Sequence, residues 1–489
     1  MMKKLIAIIP NSESMKKLEP PFEDLNPHDK HLAYCAMDTM MTYELYDILN
    51  SKLIPPHRQT YEFERSLLAP VMTMMKRGFR IDMAKRDEAL LFCRDKVSSL
   101  TSTLDSLTEA VFGHKLNCRS HIQLKKLFYQ ELLIKEYTRS VKGVVKVSLD
   151  RNTLEKISAC YARARPFCQL ILKIRDYEKQ EQTLKKALSP DNRWIAGYNV
   201  AGTDTGRWSS ADNPLRHSAN IQNIDPKIRK IFTADEGRIL AYCDLQGAEA
   251  RVVAYLAQDE KYIKAVEESD VHTMVATLVF GLSGDRADAD RIYYRDFSYR
   301  DLAKRCAHGT NYGGSARTLA SSLKLETKVV AGFQRMYNRI FPGIKRWQDA
   351  VARQIQKHGY LDTPMGRRRI FNDRLYSDHT VRKAIAYGPQ SVVADIISKG
   401  LVKIYAELEP EVWVHAMIHD ALVLSFEEEK IDKLLPSVLN LMTFPVEIEG
   451  RQMIIPVDAD VGHNWGKYKG AETGETNLKG LRPYDLLIQ

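Results

Sequence analysis

In RILAYCDLQGAEAR, residues 238–251, an apolar run of strand character ends at Asp244 and gives way after Gly247 to a helix-like Ala/Glu/Arg segment. A carboxylate at the end of a buried strand faces a cleft while its backbone stays rigid. The plainer alternative is an Asp that caps the following helix. A second stretch, VWVHAMIHDALVLSF (412–426), brings two β-prone runs together at His419-Asp420 and places that pair at the tip of a hairpin. Alone, Asp420 reads equally well as an ordinary turn residue. Two acids on rigid strand ends, joined by one sheet, suit two divalent ions roughly 3.5–4 Å apart, the arrangement used for in-line phosphoryl transfer. Magnesium takes a few carboxylates together with phosphates and water, so two aspartates suffice as protein ligands.

Outward from these stretches the pattern changes. Residues 260–360 are helical and rich in Arg and Tyr. Strand signals return in GYLDTPMGRRRIF (359–371) and MIIPVDADV (453–461), and a long helical pattern occupies 381–408. Strand segments thus flank a helical insertion, which predicts an α+β fold with one mixed or antiparallel sheet built from two separate parts of the chain. Before residue 194 the spacing is mainly helical, from Tyr61 to about Ala187. LIPPHR (53–58) reads as a linker, because consecutive prolines break helix and sheet. It follows a helical segment, HLAYCAMDTMMTYELYDIL (31–49).

The 489 residues allow several domains and at least one large core. Lys and Arg outnumber Asp and Glu by 72 to 62, a formal charge of +10 that suits a phosphate-rich partner without being specific for one. The seven cysteines form no C-x-x-C pair and no His/Cys cluster, which points to reduced thiols. The apolar run in MMKKLIAII, Leu5 to Ile9, is shorter than the roughly 7 residues of a signal core, and no run approaches the ~20 of a membrane span. The expectation is a cytoplasmic protein without membrane contact.

RDLAKRCAHGTNYGG (300–314) sets Arg300, Lys304 and His308 on one helix face, with Tyr312 before the helix-ending Gly313-Gly314. Cations beside an aromatic tip suit a nucleoside triphosphate; a solvated basic face is the plainer reading.

Taken in order, these motifs resemble those of the family A DNA polymerases. DLQGAEAR (244–251) is similar to D-x-S-x-x-E-x-R, with Gln246 in place of Ser. Arg300, Lys304, Tyr312 and Gly313 fit R-x3-K-x7-Y-G, and His419-Asp420 fits the palm hairpin. TGRWSS (205–210), NIQNI (220–224), DVH (270–272), TPMGRRR (363–369), RKAIAYGPQSVVADII (382–397) and GHNW (462–465) resemble further family segments, as do RGFRID (77–82) and LNCRSHIQL (116–124).

The resemblance implies a right-hand fold: an exonuclease-like remnant at 1–55, a thumb at 56–193, palm at 194–262 and 359–489, and fingers at 263–358. It implies that Asp244, Asp420 and the Leu245 carbonyl hold two Mg2+ ions during primer extension with dNTPs. Arg300, Lys304 and His272 would contact the triphosphate, with Lys304 also a proton donor to pyrophosphate. His308, Tyr312, Gln246 and Glu249 complete the implied nucleotide site, Glu249 crowding the sugar 2′ position. Arg207, Gln222, Asn223, Arg382, Gln390 and His419 would contact primer–template DNA.

The chain departs from the family pattern at three places. Ala421 stands where a Glu usually follows His-Asp, Ala386 replaces an Asn, and His308 replaces a Phe or Tyr. Tyr34 and Asp38 resemble the last motif of a 3′–5′ exonuclease whose earlier acids are missing, so no proofreading by this chain alone is expected, and a separate exonuclease chain is a candidate partner. The departures in the His308 and Gln390 helices suggest phage replication. Two rival readings are a polymerase-shaped DNA-binding subunit without catalysis and a single-subunit RNA polymerase. Intact Asp244 and Asp420 weigh against the first, and Glu249 against the second.

Overall fold

The computed structural model describes residues 26–141, 144–200, 202–211, 220–268, 270–295, 297–468 and 476–484. The MMKKLIAII segment lies outside them. The chain divides into two units, the smaller comprising residues up to Arg65 together with Gly366–Arg368. Its helix α1 (Pro27–Ser51) starts at Asn26, whose side chain accepts from Asp29 N at 3.0 Å, and no residue of α1 is buried. Helix α2 (Pro55–Ser66) follows after three residues, so the expected linker at 53–58 is corrected. Pro55 opens a helix there, a position where its missing N–H costs nothing because that donor has no partner in the first turn anyway. Within this unit Arg367 pairs with Glu64, and Thr60 Oγ1 donates to Gly366 O at 3.3 Å.

The larger unit begins with a helical part. Helices α3 (Met83–Phe112) and α4 (Arg165–Leu184) pack side by side over a core that includes Leu104, Phe128, Ile157, Phe167 and Ile171. Asp82 caps α3 by accepting from Lys85 N at 3.1 Å. A hairpin of Thr138–Val141 with Val144–Val147 interrupts the segment that reads as helical from its spacing.

Strand β1 (Arg238–Leu245) leads through a turn into α5 (Ala248–Leu256). Four long helices follow: α6 (Val271–Phe280), α7 (Tyr299–Asn311), α8 (Thr327–Ile340) and α9 (Pro342–His358). Helix α10 (Asp378–Leu408) returns the chain to the sheet, where β2 (Trp413–Ile418) and β3 (Ala421–Glu427) form a hairpin. Helix α11 (Ile431–Met442) follows, and β4 (Val457–Gly462) and β5 (Arg482–Pro483) complete the sheet. The sheet order is β2-β3-β1-β4-β5, and every pairing in it is antiparallel. The helical insertion therefore separates β1 from both of its neighbours along the chain.

Side chains alternate along a strand. Leu240 lies on one face of β1 in a core with Phe79, Trp194, Phe232, Ile418 and Trp465. On the other face Ile239, Ala241, Cys243 and Leu245 are all buried. Helix α11 packs against β1 and β3, and α10 against β3. A strand covered on both faces explains the nearly unbroken apolar run before Asp244. Truncating a fully buried ring such as Phe232, 0% exposed, costs about 3–5 kcal/mol.

Candidate active site

The acidic end of the sheet is built by register. Asp244, one residue from the end of β1, lies directly opposite Ala421 on β3 and Asp458 on β4. It does not cap α5. Gly247 occupies that position at φ 58° with no side-chain cap, so the capping alternative falls away. His419 and Asp420 form the two-residue turn between Ile418 and Ala421. His419 takes φ 58°, a left-handed conformation that costs a non-glycine residue of the order of 1 kcal/mol and recurs at functional sites. Leu245 N donates to Asp420 O at 3.1 Å, which ties this turn to the end of β1.

The two acids are half-buried and crowded by like charge. Burial, then Asp420, Asp458 and Asp460, push the Asp244 carboxyl up to about 7 against the pull of Lys467. Asp420 is also raised, by burial and then Glu249, with its own backbone N–H, His419 and Arg207 opposing. Asp460 is raised by burial and by Asp458. Asp458 and Asp460 of β4, paired with Asp244 and Tyr242 and so on the same sheet face, carry no motif in the sequence that singles them out. Their signal was the alternation in PVDADV (456–461), legible only as a strand until its partner is known.

Among the described residues, no group of three or more His, Cys, Asp or Glu side chains is disposed to hold a metal. A cation here would rest on Asp244, Asp420 and backbone oxygen. Hard carboxylate donors whose charge Lys467 and Arg207 offset only in part fit a divalent ion of the Mg2+ type.

Beside the acids stands a clasp around Glu249. Tyr312 donates its hydroxyl to Glu249 Oε2, Arg207 pairs with Oε1, and His308 Nδ1 lies 3.8 Å from Oε2. Burial, then the Glu249 carboxylate, holds the Tyr312 phenol far above its ordinary range. The His308 ring meets Tyr312 edge-on at 5.0 Å. Gly313 follows at φ 71°, and a Cβ there would lie 3.4 Å from Ile385 of α10. The positive φ, rather than any lack of space, is what favours glycine at this turn.

The end of α7 is further held by groups that sequence reasoning passed over. Buried Gln348 donates to the carbonyls of Thr310 and Asn311 at 2.8 and 2.9 Å, and Gln334 donates to Gly314 O at 2.8 Å. Tyr337 donates to Asn311, which donates in turn to Tyr262, at 2.7 and 3.1 Å. Helix-end carbonyls lack partners within the helix, so these side chains fix the position of Tyr312. A lone Gln within a helix gives no sequence signal for this.

At the other end of α7 the cations differ. Arg300 is bound to Asp270, whereas Lys304 is exposed and has no ion-pair partner among the described residues. Burial, together with Lys304, Arg300 and His308, pushes His272 down to about 4 despite Asp270, so it is neutral at pH 7.

The remaining expected residues are placed as follows. Exposed Gln246 accepts weakly from Arg251, at 3.4 Å. Gln222 Nε2 donates to Met417 O at 3.4 Å, beside the hairpin, and Asn223 is exposed in the same turn. Arg382 and Gln390 both lie on α10, and His419 is exposed on the hairpin tip. Arg369 pairs with Asp204 at 2.6 Å and lies over the Phe371 ring at 4.8 Å, so it is not a solvated charge. No helix among the described residues is long and apolar enough to cross a membrane.

Residues 89–467 match the family described as DNA polymerase family A. The chain belongs to that family. It is 29% identical over 439 residues to a thermostable DNA polymerase I of Thermus filiformis, covering 86% of this chain and 49% of the relative. It is 27% identical to a DNA polymerase I of Treponema pallidum, covering 90% of this chain and 44% of the relative. The chain thus spans about half the length of the curated relatives it matches. A solved structure described as the POL domain of Pol1 from M. smegmatis, in complex with DNA primer-template and dNTP, aligns at TM-score 0.70 and 24% identity. The alignment covers 82% of this chain and 70% of that one, a likeness of fold.

Proposed function

We propose that this chain is a template-directed DNA polymerase that adds deoxynucleotides to a primer 3′ end. The observation that carries the proposal is the sheet register, which sets Asp244 of β1 against the Asp420 turn and beside the Glu249 clasp. On this reading Asp244, Asp420 and the Leu245 carbonyl hold two Mg2+ ions. When bound, these would lower the pKa of the primer hydroxyl and neutralise charge on the departing pyrophosphate. Arg300, Lys304 and neutral His272 bind the triphosphate, and Lys304 gives a proton to the pyrophosphate. Tyr312, with His308, packs beside the nascent pair, and Gln246 supports the turn that presents Glu249.

Glu249, held from both sides by Tyr312 and Arg207, is a rigid wall against a 2′-hydroxyl. Arg207, Gln222, Asn223, Arg382, Gln390 and His419 contact primer–template DNA, mostly independent of sequence. Tyr34 and Asp38, one turn apart on α1, support a partnership with a separate exonuclease chain, and the His308 and Ala386 departures support a place in phage replication.

Primer extension with Mg2+, offering dNTPs or rNTPs, tests the main proposal. Extension with dNTPs that Asp244→Ala and Asp420→Ala both abolish is the expected result. No extension by the wild-type chain defeats it, and preferential use of rNTPs turns it into an RNA polymerase. Release of a mismatched 3′ end by the purified chain, lost in Asp38→Ala, would end the exonuclease partnership.

A further inference from the structure

Of the two long cations on α7, one is already engaged. Arg300 donates through Nε to Asp270 Oδ2 at 2.7 Å and through Nη2 to Oδ1 at 3.0 Å, a two-point fork. Asp270 is itself fixed as the N-cap of α6. It accepts from Thr273 N at 3.0 Å and from Thr273 Oγ1 at 2.6 Å, and Arg286 approaches at 3.7 Å. The Arg300 side chain keeps 18% of its exposure and that of Asp270 34%, so the pair is largely withdrawn from water.

A guanidinium carries five N–H donors along three nitrogens. Asp270 takes the Nε–Nη2 edge. Among the described residues, Nη1 donates to no protein group. We infer that Asp270 is a positioning residue for nucleotide binding, gripping one edge of Arg300 so that Nη1 is reserved for the triphosphate. The inference rests on the function proposed above.

The physical gain is twofold. An arginine fixed before the ligand arrives has little rotamer freedom left to lose when it binds. The fixed carboxylate also cancels the net charge of the guanidinium, so the site attracts stray anions less than a free arginine would. What remains is a directed donor. Lys304, by contrast, is an exposed point charge, and the two cations divide the work between aim and attraction.

Asp270→Asn is the test, because Asn still caps α6 by accepting from Thr273 N but no longer offers a charged fork. Steady-state primer extension should show KM for the dNTP raised about tenfold, kcat within about twofold, and DNA affinity unchanged. In an Arg300→Ala background the same substitution should change KM by less than about twofold, since coupled residues are not additive. A merely structural role predicts an equal effect in both backgrounds and a lowered Tm. That result overturns the inference. A decrease in KM also overturns it, by showing the carboxylate to be a competitor for Arg300.

Failure of the function leaves the inference testable. If the wild-type chain extends no primer, calorimetric titration with dATP alone reads the same coupling. Binding that depends on Arg300 and weakens in Asp270→Asn upholds the positioning role while the polymerase reading falls. Absence of dATP binding overturns both.

Discussion

The acid end of the palm sheet and the start of α7 handle charge in opposite ways. At the palm, burial comes first and neighbouring carboxylates second in raising the proton affinity of Asp244, Asp420 and Asp460. At α7, Arg300 and Asp270 neutralise each other before any ligand arrives, and the Asp270 carboxyl is held far below its usual range. On the proposed function, repulsion that Lys467 and Arg207 relieve only in part marks a place that a cation would complete. A satisfied ion pair marks a place whose geometry is set in advance. Between them, the Glu249 clasp joins the two regions through Arg207, Tyr312 and His308.

The sharpest way to break this contrast is at the palm. Asp244→Ala or Asp420→Ala should lower extension by at least about a thousandfold with primer–template affinity retained, as for loss of a group that acts on the reacting atoms. Steady-state kinetics beside a DNA-binding titration checks both halves. Next in size, Glu249→Ala should reduce discrimination against ribonucleotides by about a hundredfold, measured as the ratio of kcat/KM for dNTP and rNTP. A smaller loss would mean that Tyr312 or His308 forms the wall.

The contrast also has a pH signature. Burial and neighbouring carboxylates push the Asp244 carboxyl up to about 7, and on the proposed function only its ionised form would hold a cation. Below that pH the Mg2+ concentration for half-maximal extension should rise by up to about tenfold per pH unit. Activity titrated with Mg2+ at pH 6 and pH 8 tests this, and an unchanged requirement would show that the acids do not compete with protons.

Stability gives the next effect. The folded Asp244 pKa lies above its unfolded value near 3.8, so its ionisation opposes folding. The penalty is complete above about 7, fades as pH falls towards 3.8, and is absent below. Metal-free Asp244→Asn should therefore be more stable than wild type by about 1–2 kcal/mol at pH 8, with the difference gone near pH 4. Denaturant titration at the two pH values reads it. Smallest of all, Asp458→Asn should lower the Asp244 midpoint by about half a unit, the sign expected for removing a like charge, as read by carboxyl NMR.

How much of this was legible in the sequence depends on range. The hairpin at His419-Asp420 and the strand ending at Asp244 were readable because strand propensity and turn chemistry are local. The family order of Glu249, Arg300, Lys304 and Tyr312 then fixed their expected grouping. The 138–147 hairpin was hidden in a segment judged by its helical spacing. Pro55-Pro56 read as a break, although Pro55 begins a helix. Asp458 was missed because its place beside Asp244 depends on pairing between strands far apart in the chain. The Gln348 and Asp270 contacts were likewise invisible, since a hydrogen bond between two helices leaves no periodic trace.

The position of β1 between two later strands has a consequence for synthesis. β1 leaves the ribosome at residues 238–245, while its neighbours β3 and β4 are not made until residues 421–427 and 457–462. At ~5–20 residues per second the wait is on the order of ten seconds. Throughout it, an apolar strand with two open edges must be shielded from other chains. A nascent chain stalled within the α6–α10 segment is therefore a client for chaperones, and fast translation through that insertion should favour soluble yield over aggregation.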